Sequence, residues 1–271
     1  MIKADIHVHT SFSSDCNEPM ENQIKSAISK GLTILCITEH MDFDFPKSSI
    51  EDGCDFILDT PKYYDSYKTL KDKYQGKITL LFGVELGLQP HLYNTLSEYI
   101  NTYPFDYIIG SEHITNKKDP YYASFYEGRS EYDAYCEYFE DICTNIDTFS
   151  DFNTLGHLDY VVRYGPNKNK DYSYSKYSDY IDEILKRLIT KGIALEINTG
   201  GYKSGLNSPN PCKDIVLRYK ELGGELITIG SDSHDSGRIA ADFDKVEALL
   251  TDCGIKYYSY FVNRKPLMIH L

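Results

Sequence analysis

The sequence predicts an α/β fold in which seven strand–helix units form an open or distorted barrel of parallel strands. Short β-branched runs alternate with longer helical patterns along the chain, which is typical of parallel strands joined by right-handed crossovers. No low-complexity linker, charge block or internal repeat divides the 271 residues. We therefore expect one domain over residues 1–271, built as a barrel or as a doubly wound sheet, and the seven units favour the barrel.

The individual elements follow from these runs. The predicted strands are Ile2–Val8, Thr33–Thr38, Ile78–Val84, Asp106–Ile109, Phe152–Leu155, Ile193–Ile197 and Leu226–Ile229. The predicted helices are Met20–Lys30, Pro61–Tyr74, His91–Asn101, Ser130–Asp147, Tyr177–Lys191, Asn210–Leu222 and Arg238–Cys253. Left-handed C-caps are expected at Gly31, Gly192, Gly223 and Gly254. Tyr257–Phe261 is predicted as an edge strand or an extra element after the barrel.

Composition excludes several classes of protein. A net charge of −13 disfavours a nucleic-acid interface, which needs basic surface, but permits a small phosphorylated substrate beside bound metal ions. The N-terminus has no signal-peptide pattern and no apolar run approaches the ~20 residues of a membrane helix, so we expect a cytoplasmic protein without membrane contact. The seven cysteines form no CxxC pair and are expected to be free thiols. The sequence does not indicate an oligomeric state.

Histidines concentrate at the predicted strand ends, where barrel enzymes place their chemistry. Six of the eight histidines do so: His7, His9, His40, His113, His157 and His234. Glu85 and Asp232 occupy equivalent positions, whereas His91 and His270 do not. Because imidazole and carboxylate are natural ligands of zinc, manganese and iron, the pattern predicts a metal site at the C-terminal ends of the strands.

These motifs resemble those of the polymerase-and-histidinol-phosphatase (PHP) family. The resemblance is carried in order by HVHTSFSSD (7–15), TEH (38–40), GVE (83–85), SEH (111–113), GHLD (156–159) and GSDSH (230–234). It covers nearly the whole chain and implies a distorted (β/α)7 barrel with two to three divalent transition-metal ions. The segments TEHMDFDFP (38–46), LGHLDYVVRYGP (155–166) and LEINTGG (195–201) resemble the histidinol-phosphate phosphatase branch.

The resemblance also implies a set of metal ligands. The first metal would be held by His7, His9, Glu85 and Asp232, and Glu85 would bridge to a second metal that His113 and His157 complete. The third metal would be held by Asp15, His40 and His234. Many family members carry histidine where this chain has Asp15, which leaves the third site's occupancy and metal preference open.

The expected reaction is hydrolysis of L-histidinol phosphate to L-histidinol and phosphate in histidine biosynthesis. A hydroxide that bridges two metals would attack phosphorus directly, because bound metals lower the pKa of water. The leaving alkoxide needs a proton, for which Asp232 and His234 are candidates that the sequence does not rank. Arg163 is expected on a loop over the site, where its guanidinium would bind the phosphate.

Other polar residues near the motifs are weaker candidates. Arg238 is a second candidate for binding phosphate, and Glu196 could orient a ligating imidazole or the substrate. The acidic residues Asp42, Asp44 and Asp159 could bind the substrate amine.

Two alternatives to a histidinol-phosphate phosphatase remain open. One is a phosphoesterase acting on a nucleotide, an oligonucleotide end or another small phosphomonoester. The other is a metal-storing module without turnover, which would be expected to lack ligands that this chain has.

Overall fold

The structure, a computed structural model, describes residues 1–46 and 55–271. Seven strands form one sheet and pair in parallel in the order of the sequence. They are β1 (Ala4–Asp5), β2 (Ile34–Met41), β3 (Thr79–Gly87), β4 (Tyr107–Ser111), β5 (Thr154–Leu155), β6 (Ala194–Asn198) and β7 (Ile227–Gly230). All seven are buried apart from Thr79 and His40, as expected of parallel strands covered by helices.

The sheet nearly closes into a barrel between its first and last strands. Val8 forms a parallel bridge with Ser233 beyond the ends of β1 and β7. The backbone N–H of Asp232 donates to His7 O at 2.8 Å, and that of His9 donates to Ser233 O at 3.0 Å. The predicted distorted (β/α)7 barrel is confirmed.

Helices connect the strands, and most lie within two residues of their predicted bounds. They are α1 (Met20–Ser29), α2 (Thr60–Lys73), α3 (Tyr93–Thr102), α4 (Glu131–Thr148), α5 (Ser178–Lys191), α6 (Gly200–Lys203), α7 (Lys213–Glu221) and α8 (Phe243–Asp252). The four expected cap glycines, Gly31, Gly192, Gly223 and Gly254, have φ of 76°, 69°, 91° and 65°. This left-handed backbone confirms the predicted helix ends.

Two predicted helices begin later than expected. The helix predicted from Asn210 begins at Lys213, because Asn210 exchanges backbone hydrogen bonds of 2.8 and 2.9 Å with Asn198 at the end of β6. The helix predicted from Arg238 begins at Phe243, because positive φ angles at Ala240 and Asp242 interrupt the helical path. Both corrections concern loops at the end of the barrel where the predicted metal site lies.

The first strand is shorter than predicted. Regular pairing stops at Asp5, whereas the prediction extended to Val8. Beyond Asp5 the backbone forms hydrogen bonds with both neighbouring strands. Ile6 N–H donates to Ile229 O of β7 at 3.3 Å, and Val8 O accepts from Thr38 N–H of β2 at 2.8 Å. This segment therefore remains extended between β2 and β7 and carries the first two histidines into the barrel.

A hairpin closes the N-terminal end of the barrel, opposite the predicted metal site. It pairs β8 (Tyr257–Val262) with β9 (Lys265–His270) in antiparallel register. The turn residues Asn263 and Arg264 have φ of 49° and 62°, as in a type I′ turn. Arg264 N donates to Asp106 O at 2.8 Å at the start of β4. The extra element expected at Tyr257–Phe261 is thus confirmed, and β9 was not predicted.

The thiol prediction is confirmed for the described cysteines. The free cysteines are Cys16, Cys36, Cys136, Cys143, Cys212 and Cys253. The seventh, Cys54, lies outside the described residues. Within residues 1–46 and 55–271, no helix is long and apolar enough to cross a membrane.

Candidate metal centre

Glu85 lies at the centre of the histidine cluster. It lies on β3, and its side chain is fully buried. Its Oε2 atom is 3.1 Å from His7 Nε2, 3.3 Å from His9 Nε2 and 3.0 Å from His40 Nδ1. Nevertheless, Oε2 makes no hydrogen bond with any described residue. Three imidazole nitrogens thus converge on one buried oxygen without donating to it, which is the arrangement expected of ligands around a cation.

The other carboxylate oxygen of Glu85 faces a second pair of histidines. Oε1 lies 3.0 Å from His157 Nε2 and 3.2 Å from His113 Nε2, and it accepts a hydrogen bond of 2.6 Å from Ser111 Oγ. One carboxylate therefore has imidazoles on both of its oxygens. This is the geometry that a carboxylate bridging two metal ions requires.

A third group of ligand atoms lies beside the first. The imidazole of His9 stacks on those of His40 and His234, with ring centroids 4.1 and 4.3 Å away. Asp15 Oδ2 lies 3.1 Å from His234 Nε2 and 3.7 Å from His40 Nε2. The residues that the resemblance assigned to a third metal are therefore adjacent, and His9 adjoins them.

Asp232 joins the first and third groups. It follows β7 with a φ of 53°, a left-handed conformation that aspartate tolerates better than most residues. Its Oδ1 lies 3.5 Å from His9 Nε2 and 3.8 Å from both His7 Nε2 and His234 Nδ1. All nine predicted ligands thus lie in one layer at the C-terminal ends of the strands, which we call the metal layer.

The donor set fits divalent transition metals. Among the described residues, ligand atoms within 4.8 Å of one another occur in His7–His9–Glu85, Glu85–His113–His157 and His9–His40–His234, and also in His7–His157–Asp232 and His40–Asp42–His113. The first two groups match the assigned first and second sites, with Asp232 adjoining the first. Nitrogen-rich sets with carboxylates suit zinc, manganese or iron.

The electrostatics of the layer favour the ligand forms of Glu85 and His9, whereas at His7, His40, His113 and His234 neighbouring carboxylates outweigh burial and raise the pKa. Burial favours the neutral carboxyl of Glu85, but the imidazoles of His7, His113 and His40 outweigh it and hold its pKa well below the ordinary value. Burial, together with repulsion from neighbouring imidazoles, lowers the pKa of His9 to about 3. An ionised carboxylate and a neutral imidazole are the protonation states that bind metals.

Carboxylates behind the histidines fix the imidazole rings. Glu196 on β6 is buried, and its Oε1 lies 2.6 Å from His7 Nδ1. Asp42 Oδ1 lies 2.7 Å from His113 Nδ1, and a Cβ at Gly87 would collide with that oxygen. Because a carboxylate accepts, both imidazoles carry hydrogen on Nδ1, and Nε2, which faces Glu85, is the atom that a metal ion would use.

Arg163 lies next to the layer and is buried, in a helical turn and not in the loop that was predicted. It belongs to the helical turn Tyr160–Arg163. Nη1 donates to Asp232 Oδ2 at 3.0 Å, Nη2 to Asn198 Oδ1 at 2.8 Å and Nε to Asn210 Oδ1 at 2.8 Å. These three acceptors fix the guanidinium plane, so it reaches the cavity already oriented.

A cavity of about 320 Å³ opens above the layer. Its floor includes six polar or charged residues predicted for the site, namely Asp15, His40, His113, His157, Asp232 and His234, and Arg163 and Asp42 also line it. Its walls are residues that the sequence analysis missed, namely Phe45, Phe56, Asp119, Tyr121, Tyr122, Tyr160 and Tyr164. Tyr160 and Tyr164 flank Arg163 in the YVVRYGP segment, whereas nothing in the sequence pattern singles out the others.

The comparison with known families agrees with the geometry. Residues 5–200 match the PHP domain. The chain belongs to the PHP family. The matched segment contains seven of the nine predicted ligands, and the other two, Asp232 and His234, lie just beyond the end of β7.

Curated relatives and solved structures extend this comparison over nearly the whole PHP protein. It is 33% identical over 266 residues to a histidinol-phosphatase of Lactococcus lactis, covering 98% of this chain and 96% of the relative. It is 33% identical over 255 residues to a probable histidinol-phosphatase of Clostridium acetobutylicum, covering 93% and 94%. The crystal structure of the Lactococcus lactis histidinol phosphate phosphatase, complexed with zinc, L-histidinol and phosphate, superposes with a TM-score of 0.90 at 32% identity, covering 98% of each chain.

Three residues predicted to bind substrate lie away from the cavity of this PHP protein. Asp159 is buried and accepts from Asn210 Nδ2 at 2.6 Å, so it supports the residue that holds Arg163. Arg238 is 40% exposed and lies 3.5 Å from Asp242. Asp44 is 72% exposed and lies 2.9 Å from His91. Of the three acidic candidates for the amine, only Asp42 lines the cavity.

The Glu196–His7 contact gives a testable prediction for this PHP protein. Glu196→Gln removes the anionic acceptor behind His7, and we expect zinc affinity to fall about ten- to hundredfold. Competition with a chromophoric chelator measures this affinity.

The matched control is Glu112→Gln. Glu112 is equally buried and adjoins His113 in sequence, but it bonds to Thr115 and Asn145 and to no ligating imidazole. Equal losses of affinity in both variants would contradict a specific role of Glu196.

Proposed function

We propose that this chain is a metal-dependent phosphatase that hydrolyses L-histidinol phosphate to L-histidinol and phosphate, as a cytoplasmic enzyme of histidine biosynthesis. The observation that carries the proposal is Glu85, a buried carboxylate with imidazoles on both oxygens beneath a cavity that Arg163 also lines. The Lactococcus lactis relative, which matches nearly the whole chain, supports the choice of substrate.

We assign two to three divalent transition-metal ions to the layer. His7, His9, Glu85 and Asp232 would hold the first ion, Glu85, His113 and His157 the second, and Asp15, His40 and His234 the third. When bound, such ions lower the pKa of water and neutralise the phosphate oxygens. Zinc is the first choice, because the Lactococcus lactis structure is a zinc complex.

The chain's own residues then bind and orient the substrate. Arg163 presents a fixed guanidinium to the phosphate, and forked donors match phosphate oxygens in pairs. Asp42 lines the cavity at the edge of the metal layer, where its negative charge would attract the ammonium of the substrate. Asp232 and His234 line the same cavity and are the groups proposed to move the proton to the leaving alkoxide.

Metal analysis and a substrate panel test this function together. We expect two to three equivalents of metal per chain, complete loss of hydrolysis on chelation, and recovery when zinc or manganese is restored. Among phosphomonoesters, kcat/KM should be highest for L-histidinol phosphate.

Full activity after metal removal, verified by elemental analysis, would contradict the metal-dependent mechanism. Equal rates on nucleotides or sugar phosphates would instead leave the phosphatase intact and exclude histidinol phosphate as its preferred substrate.

A further inference from the structure

The cavity contains one carboxylate whose role the metal layer does not explain. Four carboxylates line it among the described residues, namely Asp15, Asp42, Asp119 and Asp232. Three of them lie close to a histidine or arginine: His234 at 3.1 Å, His113 at 2.7 Å and Arg163 at 3.0 Å. Asp119 forms no ion pair with any described residue, and its Oδ1 accepts the backbone N–H of Tyr121 at 2.7 Å.

Asp119 is also nearly buried. Only 9% of the residue is accessible, and because it lines the cavity, a ligand in the cavity meets it. A nearly buried carboxylate without a cationic partner is costly unless donors satisfy both of its oxygens, and the N–H of Tyr121 satisfies only Oδ1. The bound substrate can supply the second donor.

A row of aromatic rings leads from the metal layer to this carboxylate. The ring centroids of His157 and Tyr160 are 4.9 Å apart, those of Tyr160 and Tyr164 are 5.0 Å apart, and those of Tyr164 and Tyr121 are 5.0 Å apart. Tyr121 is the residue whose N–H holds Asp119. The wall is therefore aromatic along its length, and the backbone of its last residue, Tyr121, holds the carboxylate of Asp119.

The covalent structure of the substrate determines its orientation along this wall. In L-histidinol phosphate the ammonium is on the second carbon from the ester oxygen, and the imidazole is attached to the third. With the phosphate at the metal layer, the ammonium stays near that layer, where Asp42 lies. The imidazole extends further along the wall, and a flat ring packs well against aromatic side chains.

We propose that Asp119 accepts a hydrogen bond from the imidazole N–H of the substrate, with Tyr160 and Tyr164 packed against the ring. Asp119 is thereby the residue that determines specificity for the imidazole. This inference rests on the proposed function, because it assumes that histidinol phosphate is the substrate.

The test compares Asp119→Asn with the wild type on three substrates. These are L-histidinol phosphate, L-phenylalaninol phosphate, which keeps the amine but has a phenyl ring, and 3-(imidazol-4-yl)propyl phosphate, which keeps the imidazole but lacks the amine. We expect the variant to lose about ten- to hundredfold in kcat/KM on both imidazole substrates. Its rate on phenylalaninol phosphate should be unchanged.

A matched control variant is Asp44→Asn, which removes an exposed carboxylate that does not line the cavity. It should behave as the wild type on all three substrates. Metal content and the rate on para-nitrophenyl phosphate show whether Asp119→Asn retains an intact metal layer. If that variant does not fold, the wild type still tests the inference, because it must prefer histidinol phosphate to phenylalaninol phosphate at least tenfold.

The outcomes separate this inference from the proposed function. If the wild type prefers histidinol phosphate among phosphomonoesters but Asp119→Asn keeps the preference for imidazole over phenyl, the role of Asp119 is wrong and the function stands. A variant that loses the preference for the amine instead would mean that Asp119 binds the ammonium, which also overturns the inference. If the wild type has no preference for histidinol phosphate over nucleotides or sugar phosphates, the proposed function itself fails.

Discussion

Glu85→Ala is expected to lower kcat by about a thousandfold or more, because several kcal/mol of transition-state stabilisation depend on two correctly spaced ions. Glu85 presents one oxygen to His7, His9 and His40 and the other to His113 and His157. Its removal affects both ions and the distance between them. Single-turnover rates and elemental analysis of the purified variant measure the two effects.

His40→Ala is the comparison for this prediction. His40 belongs to the third group and is partly exposed, so its loss should remove no more than one ion and slow the reaction less. Glu85→Gln keeps the shape of the side chain and separates the effect of charge from that of volume. Comparable single-turnover rates for Glu85→Ala and His40→Ala at equal metal content would count against the bridging role.

Arg163→Ala is expected to reduce kcat/KM about ten- to hundredfold, and by a similar factor for every phosphomonoester. The reason is that Arg163 is proposed to bind the phosphate, which all these substrates share. Its loss also leaves Asp232 Oδ2 with only the longer hydrogen bond, of 3.3 Å, from Asn198 Nδ2. Steady-state kinetics with histidinol phosphate and para-nitrophenyl phosphate provide the measurement.

Arg238→Ala is the matched control for Arg163, since it removes an arginine that is exposed and does not line the cavity. It should leave both rates unchanged. Arg163→Lys retains the charge but not the fork that bonds to Asn198 and Asn210, and should recover only part of the activity. Unchanged rates in Arg163→Ala would show that Arg163 does not bind the phosphate.

The metal layer could be predicted because its residues lie at fixed positions relative to the strands. His7 and Glu85 lie at the C-terminal ends of aliphatic runs that form strands of a parallel barrel. Because the strands of such a barrel all end on the same side, the sequence pattern alone predicts that these side chains lie close together. For Arg163 the sequence predicted a loop over the site but did not indicate the helical turn or the burial of the side chain. The contacts that bury it come from Asn198 and Asn210, which are distant in sequence.

The substrate wall could not be predicted, because loops lack periodicity. Asp119 lies in the polar segment NKKDPYY, where nothing distinguishes it from neighbouring loop residues. Asp159, by contrast, follows a motif histidine closely and still lies behind Asn210, away from the cavity. Proximity in sequence to a ligand is therefore a poor guide to contact with the substrate, since neighbouring loop residues point in different directions.

The narrow junction between β1 and β7 gives the metal ions a role in the fold as well. His7 and His9 lie on one side of it, and Asp232 and His234 lie on the other. The backbone is joined there by the hydrogen bonds of Ile6, His9 and Asp232 and by the isolated Val8–Ser233 bridge, without regular strand pairing. An ion held by ligands from both sides would cross-link the first and last strands of the barrel, as a disulfide does in a small secreted domain, and would thereby oppose their separation. Loss of the ions should therefore increase hydrogen exchange first at the amides of His9 and Asp232, which bond across the junction.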